Sequence, residues 1–224
     1  SEYAITDVSR PVHLNRILRE QGWLKVRKEA LGWETMDCGA SEAFAVADHQ
    51  IAHVYVQRPE RISAVKALLE KTEGVELVLD RSQQAEFGID HERSGELVVI
   101  AAPGAWFTYY FWLDDSLAPD YARTVDIHRK PGYDPVELFI DPAIKFPKMR
   151  IASRLARKIL GFRYYMDLTS LDASLVKGSH GRLPLPGKED TEAPVFICSS
   201  KAIERDEIPM TAVKDMLLEL QFGK

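Results

Sequence analysis

At 224 residues, 46% apolar and 28% charged, the chain is long enough to bury one large core or two small ones. Its formal charge of −5 leaves no whole-chain electrostatic footprint for a nucleic acid polymer or an anionic membrane surface. Apolar runs such as 97–103 and 106–113 are far too short to span a bilayer, so the sequence reads as soluble, with the cytoplasm favoured.

Cys38 and Cys198 are the only cysteines, too few for a disulfide framework and without thiolate-zinc spacing; both are expected to be buried thiols. No methionine or signal-like segment opens the chain, and the native N-terminus is expected upstream of Ser1.

In chain order, Ser1 to Thr6 reads as the end of a strand. Ser9-Arg10-Pro11 should start a helix carrying Leu14, Ile17 and Leu18 on one face until Gly22 stops it. A strand is expected over Trp23–Val26, and a pair or one bent strand over 43–47 and 51–56 with Asp48-His49-Gln50 between. Ile62, Val65 and Leu69 recur at helical spacing from Pro59 to Gly74, and 75–79 alternates like a strand. Residues 97–102 and 106–112 read as a hairpin punctuated by Pro103-Gly104, its aromatic half placed in a core or interface. The stretch 114–147 holds prolines at 119, 131, 135, 142 and 147 and predicts a long functional loop. A helix follows over 149–160, its basic face read as solvated. Residues 194–198 are expected to be a short buried strand, and Thr211 should cap a last helix with Val213, Met216, Leu217 and Leu220 on one face.

Lys177-Gly178-Ser179-His180-Gly181-Arg182-Leu183-Pro184 is the stretch most suggestive of chemistry. Glycines on both sides of a histidine allow positive φ and bring bare backbone close to a bound ion, and neutral imidazole is a common metal ligand. Asp126 and His128, at i and i+2, would share a face in an extended segment and are candidate substrate contacts. Asp48, His49 and His53 form a second polar cluster, for which a structural role is favoured; His13 and His91 are given none.

Ser1-Glu2-Tyr3-Ala4-Ile5-Thr6, the entry Arg93-Ser94-Gly95-Glu96-Leu97, Gly178-Ser179-His180-Gly181 and a closing strand and helix occur in an order that resembles the alkaline phosphatase superfamily. More narrowly, the chain resembles the C-terminal part of a type I phosphodiesterase/nucleotide pyrophosphatase-like protein. In that family a Ser-Asp-His-Gly-Met-like motif supplies an aspartate and a histidine to one metal, and a later Gly-x-His-Gly supplies a histidine to the other. The resemblance implies His180 and Glu2 as metal ligands, with Tyr3 and Ala4 departing from the family's histidine and glycine.

It further implies an α/β fold: residues 1–30 and 171–224 as the C-terminal part of an alkaline-phosphatase-like α/β/α core, and 31–170 as an inserted α+β subdomain shaping the substrate cleft. The family's nucleophile and remaining ligands precede its Asp-His-Gly motif. The expected function is therefore part of a metal-dependent phosphohydrolase, inactive by itself, whose partners are a missing N-terminal half and a phosphate ester or nucleotide substrate. Two divalent metals, zinc favoured, would occupy the complete site. A non-catalytic descendant binding a phosphorylated ligand or a protein is the alternative.

Overall fold

Residues 1–203 and 205–223 are described by a computed structural model, in which the chain divides into two compact units. One comprises Ile5–Arg182; the other comprises Ser1–Ala4 and the residues from Leu183 onward. The expected boundaries near 30 and 170 both fall inside the larger unit.

The larger unit opens with β1 (Thr6–Asp7), so Ser1 to Ile5 is not the strand end that the sequence suggested. It continues through β2 (Arg10–Val12) into α1 (Leu14–Glu20). Pro11 therefore sits in a strand rather than at a helix start. The two-stranded pairing of β2 tolerates a residue without an N–H, and Leu14 and Leu18 are fully buried, as the spacing predicts. Next come β3 (Val26–Lys28) and β4 (Glu34–Met36), an antiparallel pair.

The central sheet is built from β5 (Ala43–Asp48), β6 (Ile51–Val56), β7 (Val75–Asp80) and β8 (Leu97–Ala101) in the order β5-β6-β8-β7, antiparallel throughout. Burial alternates along β5 and β6, the period-2 pattern of a half-covered sheet. Between β6 and β7, α2 (Ile62–Leu69) buries Val65 and Leu69, and α3 (Arg81–Glu86) follows β7, started by an Asp80–Gln83 capping box. All four strands of this sheet lie within 31–170.

The expected hairpin across Pro103-Gly104 does not form. Instead β9 (Ala105–Phe107) pairs in parallel with β2, and residues 108–112 leave the strand while remaining buried. Side chains of α1 take the carbonyls here: Asn15 donates to Tyr109 O at 3.4 Å and Arg19 to Phe111 O at 3.1 Å. Trp106, Phe107, Tyr109, Tyr110, Phe111 and Trp112 are all essentially fully buried, each such ring contributing roughly 1.5–3 kcal/mol relative to exposure.

The Pro-rich region is irregular as expected, and α4 (Pro147–Ile159) follows it. β10 (Gly178–Ser179) then returns antiparallel to β1. In the other unit, Val195 N donates to Ser1 Oγ at 2.9 Å, α5 (Glu189–Glu192) is one turn long, and α6 (Val213–Phe222) ends at Gly223. Ala212, not Thr211, precedes α6, and Leu217 and Leu220 on it are exposed. Residues 194–198 form no strand, and Cys198, like Cys38, is exposed rather than buried. Among the described residues no helix is long and apolar enough to cross a membrane.

Candidate functional site

The β5–β6 hairpin turns through only two residues, His49 and Gln50, and His49 takes φ 58°. That conformation is usually left to glycine at such a loop, although histidine is among the residues that tolerate it. The turn is held from several directions. Phe107 N–H donates to His49 O at 2.7 Å, Ala101 N–H to Gln50 O at 2.9 Å, and Gln50 N–H to His180 O at 2.8 Å. The buried Gln50 side chain donates to Ala105 O at 3.1 Å and accepts from Thr6 Oγ1 at 3.3 Å. A hairpin tip is thereby fixed as rigidly as a core segment.

His49 meets His180 across this junction, their ring centroids 3.9 Å apart and tilted by 36°. On the same ring, Tyr133 stacks at 4.9 Å. His49 Nδ1 lies 3.3 Å from the hydroxyl of buried Ser179, and its Nε2 lies 4.0 Å from Asp48 Oδ1. Burial, reinforced by His180 and opposed by Asp48, holds the His49 pKa down to about 4. At neutral pH it is therefore an uncharged imidazole, the form that ligates metals or accepts protons.

Tyr133 reaches the junction because Gly132 (φ 124°) is bridged to Ala47, and Tyr133 N–H donates to Ala47 O at 2.9 Å. A Cβ at Gly132 would lie 2.2 Å from that carbonyl oxygen, so only glycine fits. Just before it, fully buried Lys130 pairs with Asp134 at 3.2 Å and with Glu137, anchoring the loop.

The sequence-derived candidates fall in different places. His180 is at this junction. Glu2 is exposed and belongs to the other unit. Asp126 and His128 lie in a turn closed by Arg129 N–H on Asp126 O at 3.1 Å, so the extended alternation that put them on one face is absent. Asp126 also faces Arg129 at 4.0 Å, and His128 is exposed.

The other histidines are structural. His53 accepts from Gly95 N–H at 3.2 Å, His91 from Arg93 N–H at 3.1 Å, and His13 stacks on Tyr110 with Nδ1 2.7 Å from Thr108 Oγ1. Reading the sequence set His49 aside as structural. No sequence signal marks its positive φ, because the turn contains no glycine. A cleft of about 610 Å³ lined by Arg123, Arg154, Arg157, Arg163 and Asp167 includes neither His49 nor His180.

His49 and His180 are in ring contact, and among the described residues no group of three or more His, Cys, Asp or Glu is arranged to hold an ion.

Among solved structures, phosphonoacetate hydrolase from Sinorhizobium meliloti 1021 resembles the chain in complexes with phosphonoformate (17% identity) and phosphonoacetate (15%). Both have a TM-score of 0.34 over 47% of this chain. The chain spans 26% of the length of those structures. No curated protein matches it. The family model for type I phosphodiesterase / nucleotide pyrophosphatase matches residues 1–134, a region that contains Glu2, His49, Asp126, His128 and Tyr133 and stops short of His180. With well over half its length so matched, the chain belongs to the type I phosphodiesterase / nucleotide pyrophosphatase family.

Proposed function

We propose that these residues are the C-terminal portion of a metal-dependent phosphoric ester hydrolase and do not complete its active site alone. Family membership supports the phosphohydrolase assignment. The single observation behind incompleteness is the donor count. A zinc site needs about four ligands, and no cluster of even three candidate ligands occurs among the described residues. In this reading His180 and Glu2 are metal donors, zinc being the favoured ion, and further donors and the nucleophile come from elsewhere in the full polypeptide. Residues 1–30 and 171–224 would correspond to the metal-bearing α/β/α core and 31–170 to the insertion that shapes the cleft.

The chain's own contribution is positioning. His49, uncharged and in ring contact with both Tyr133 and His180, positions the His180 ring, and the Gln50 N–H bond fixes its backbone. Asp126 and His128 are assigned to contact a phosphate ester or nucleotide. Support comes from the segment that carries them: His128 precedes the Gly132 bridge to Ala47 by four residues, and buried Lys130 ties down the span between. A second reading, a non-catalytic phosphoryl-ligand or protein-binding domain, is favoured by Tyr3 and Ala4, which stand where the resembled motif has histidine and glycine.

Turnover of nitrophenyl phosphate mono- and diesters with added zinc or manganese separates these. The full natural polypeptide should hydrolyse at least one of them and lose activity in His180→Ala, whereas residues 1–224 alone should not. Hydrolysis by residues 1–224 that disappears in His180→Ala would overturn incompleteness. A full polypeptide that binds phosphate esters without turnover would select the second reading.

A further inference from the structure

We propose that α4 and its flanks are a peripheral docking element for an anionic lipid surface, an activity separate from phosphate ester chemistry. Between Asp141 and Asp167 the sequence holds Lys145, Lys148, Arg150, Arg154, Arg157, Lys158 and Arg163 and no acidic residue, in a chain whose formal charge is −5. Positive charge is therefore concentrated on one short element.

The helix is mounted with an unusual face outward. Arg150 and Arg154 both reach Asp167, Arg154 Nε at 2.7 Å, so arginines attach α4 to the protein. At 100° per residue, Met149, Ala152, Leu155, Ala156, Ile159 and Leu160 form one apolar stripe. All six are exposed, Met149 at 69% and Ile159 at 85%, and α4 contributes no buried residue at all. A helix stabilised by a protein core would turn this stripe inward. Phe146 and Phe162 extend the exposed apolar surface beyond both ends.

Charge decides what covers it. Lys145, Lys148, Arg157, Lys158 and Arg163 are exposed, and among the described residues none of them is ion-paired with a carboxylate. Arg157 and Lys158 border the stripe on opposite sides, and the stems of Lys145 and Lys148 are long enough to lift their charges from its N-terminal end. Lys158 and Arg163 rest over the rings of Tyr164 and Tyr165, contacts that leave their charge unneutralised. An apolar stripe edged by cations without carboxylate partners and flanked by phenylalanines, on a helix much too short to span, is suited to lying in a headgroup layer rich in phosphate and carboxylate. A protein surface covering the stripe would need carboxylates placed opposite each of these cations, whereas an anionic headgroup layer supplies negative charge at any spacing.

The test is flotation of the purified 224-residue chain with vesicles of phosphatidylcholine alone or with 30% phosphatidylserine. The chain should float with the mixed vesicles and far less with the neutral ones, and 0.5 M salt should release it. Met149→Gln/Ile159→Gln removes apolar surface at two outward positions while keeping good helix formers, and should abolish flotation with unchanged circular dichroism. Lys148→Gln/Lys158→Gln should weaken partitioning more than tenfold, each cation contributing about fivefold near such a surface. Equal binding of the Met149/Ile159 variant and wild type would overturn the proposal. So would absence of flotation on the mixed vesicles, including the case where wild type self-associates through this stripe and the Met149/Ile159 variant is monomeric.

Discussion

Replacing Gly132 by alanine is the sharpest test of how the Tyr133 loop is held. The new Cβ would sit 2.2 Å from Ala47 O and 2.9 Å from Ala47 N, both backbone atoms of β5 that cannot swing aside, and φ 124° is itself unfavourable for any L side chain. Backbone strain of this kind costs roughly 1–3 kcal/mol. If the loop moves to relieve the clash, it forfeits the Tyr133 N–H bond to Ala47 O, about 1 kcal/mol, and the stacking on His49, about 0.5–1.5 kcal/mol. Either route puts the loss at about 2 kcal/mol. Gly104→Ala is the control: its φ is 75°, but nothing lies within 4 Å of the added Cβ, so only strain of about 1 kcal/mol applies. Urea unfolding of both variants, with the Tyr133 and His49 ring resonances as local reporters, distinguishes contact from strain. Equal losses in the two variants would refute the reasoning, and the Tyr133 resonance in Gly132→Ala shows which of the two routes is taken.

Two further outcomes follow from buried ionisable groups. His13, buried against Tyr110 and beside Arg16, has its pKa held down to about 4; the unfolded chain binds that proton near pH 6.5, so stability present above pH 6.5 is lost as pH falls towards 4. The loss from this site is about 3 kcal/mol, and His13→Gln should flatten the slope of unfolding free energy between pH 6.5 and 4; an unchanged slope assigns the acid sensitivity elsewhere. Lys130→Met should cost about 3–5 kcal/mol by thermal unfolding, because it strands Asp134 and Glu137 in the interior. Burial already pushes the Asp134 carboxyl pKa up despite Lys130, and a loss below about 1 kcal/mol would show that the pair is not shielded from water.

Local pattern made part of this architecture legible. The period-2 stretches at 43–48 and 51–56, the helix carrying Val65 and Leu69 before a strand at 75–80, and the helix after the proline-rich loop are all where the sequence places them. What escaped was set by partners distant in sequence. Residues 108–112 look like a strand because aromatic and β-branched residues favour one, yet α1 supplies Asn15 and Arg19 to their carbonyls and removes the need for a strand partner. The candidate site joins residues 49, 133 and 180, and no window of sequence contains that meeting. His180 is visible because glycines bracket it, whereas His49 is held at positive φ by contacts distant in sequence, with no glycine in its turn to mark it. The basic face of α4 is legible in the sequence, but the outward turn of its apolar stripe is not, because it depends on the attachment of Arg150 and Arg154 to Asp167. The exposure of Cys38 and Cys198 has no signature in their spacing.

Among the described residues no second strand covers the outer side of β5, yet most of its outward backbone groups are occupied. Ala43 N–H donates to Trp23 O at 3.3 Å, the Asn15 carboxamide bonds both Ala45 N–H and Ala45 O at 2.7 and 2.9 Å, and Tyr133 N–H donates to Ala47 O. Three unrelated segments thus stand in for one missing neighbour, alternating along β5 at the period of its pleat. Such a margin offers no run of free amides on which a foreign chain could lengthen the sheet. Copies of this protein cannot zip together along β5 without first peeling away a helix, a loop and the tyrosine that buttresses His49, which ties resistance to fibrous association to the same contacts that shape the histidine pair.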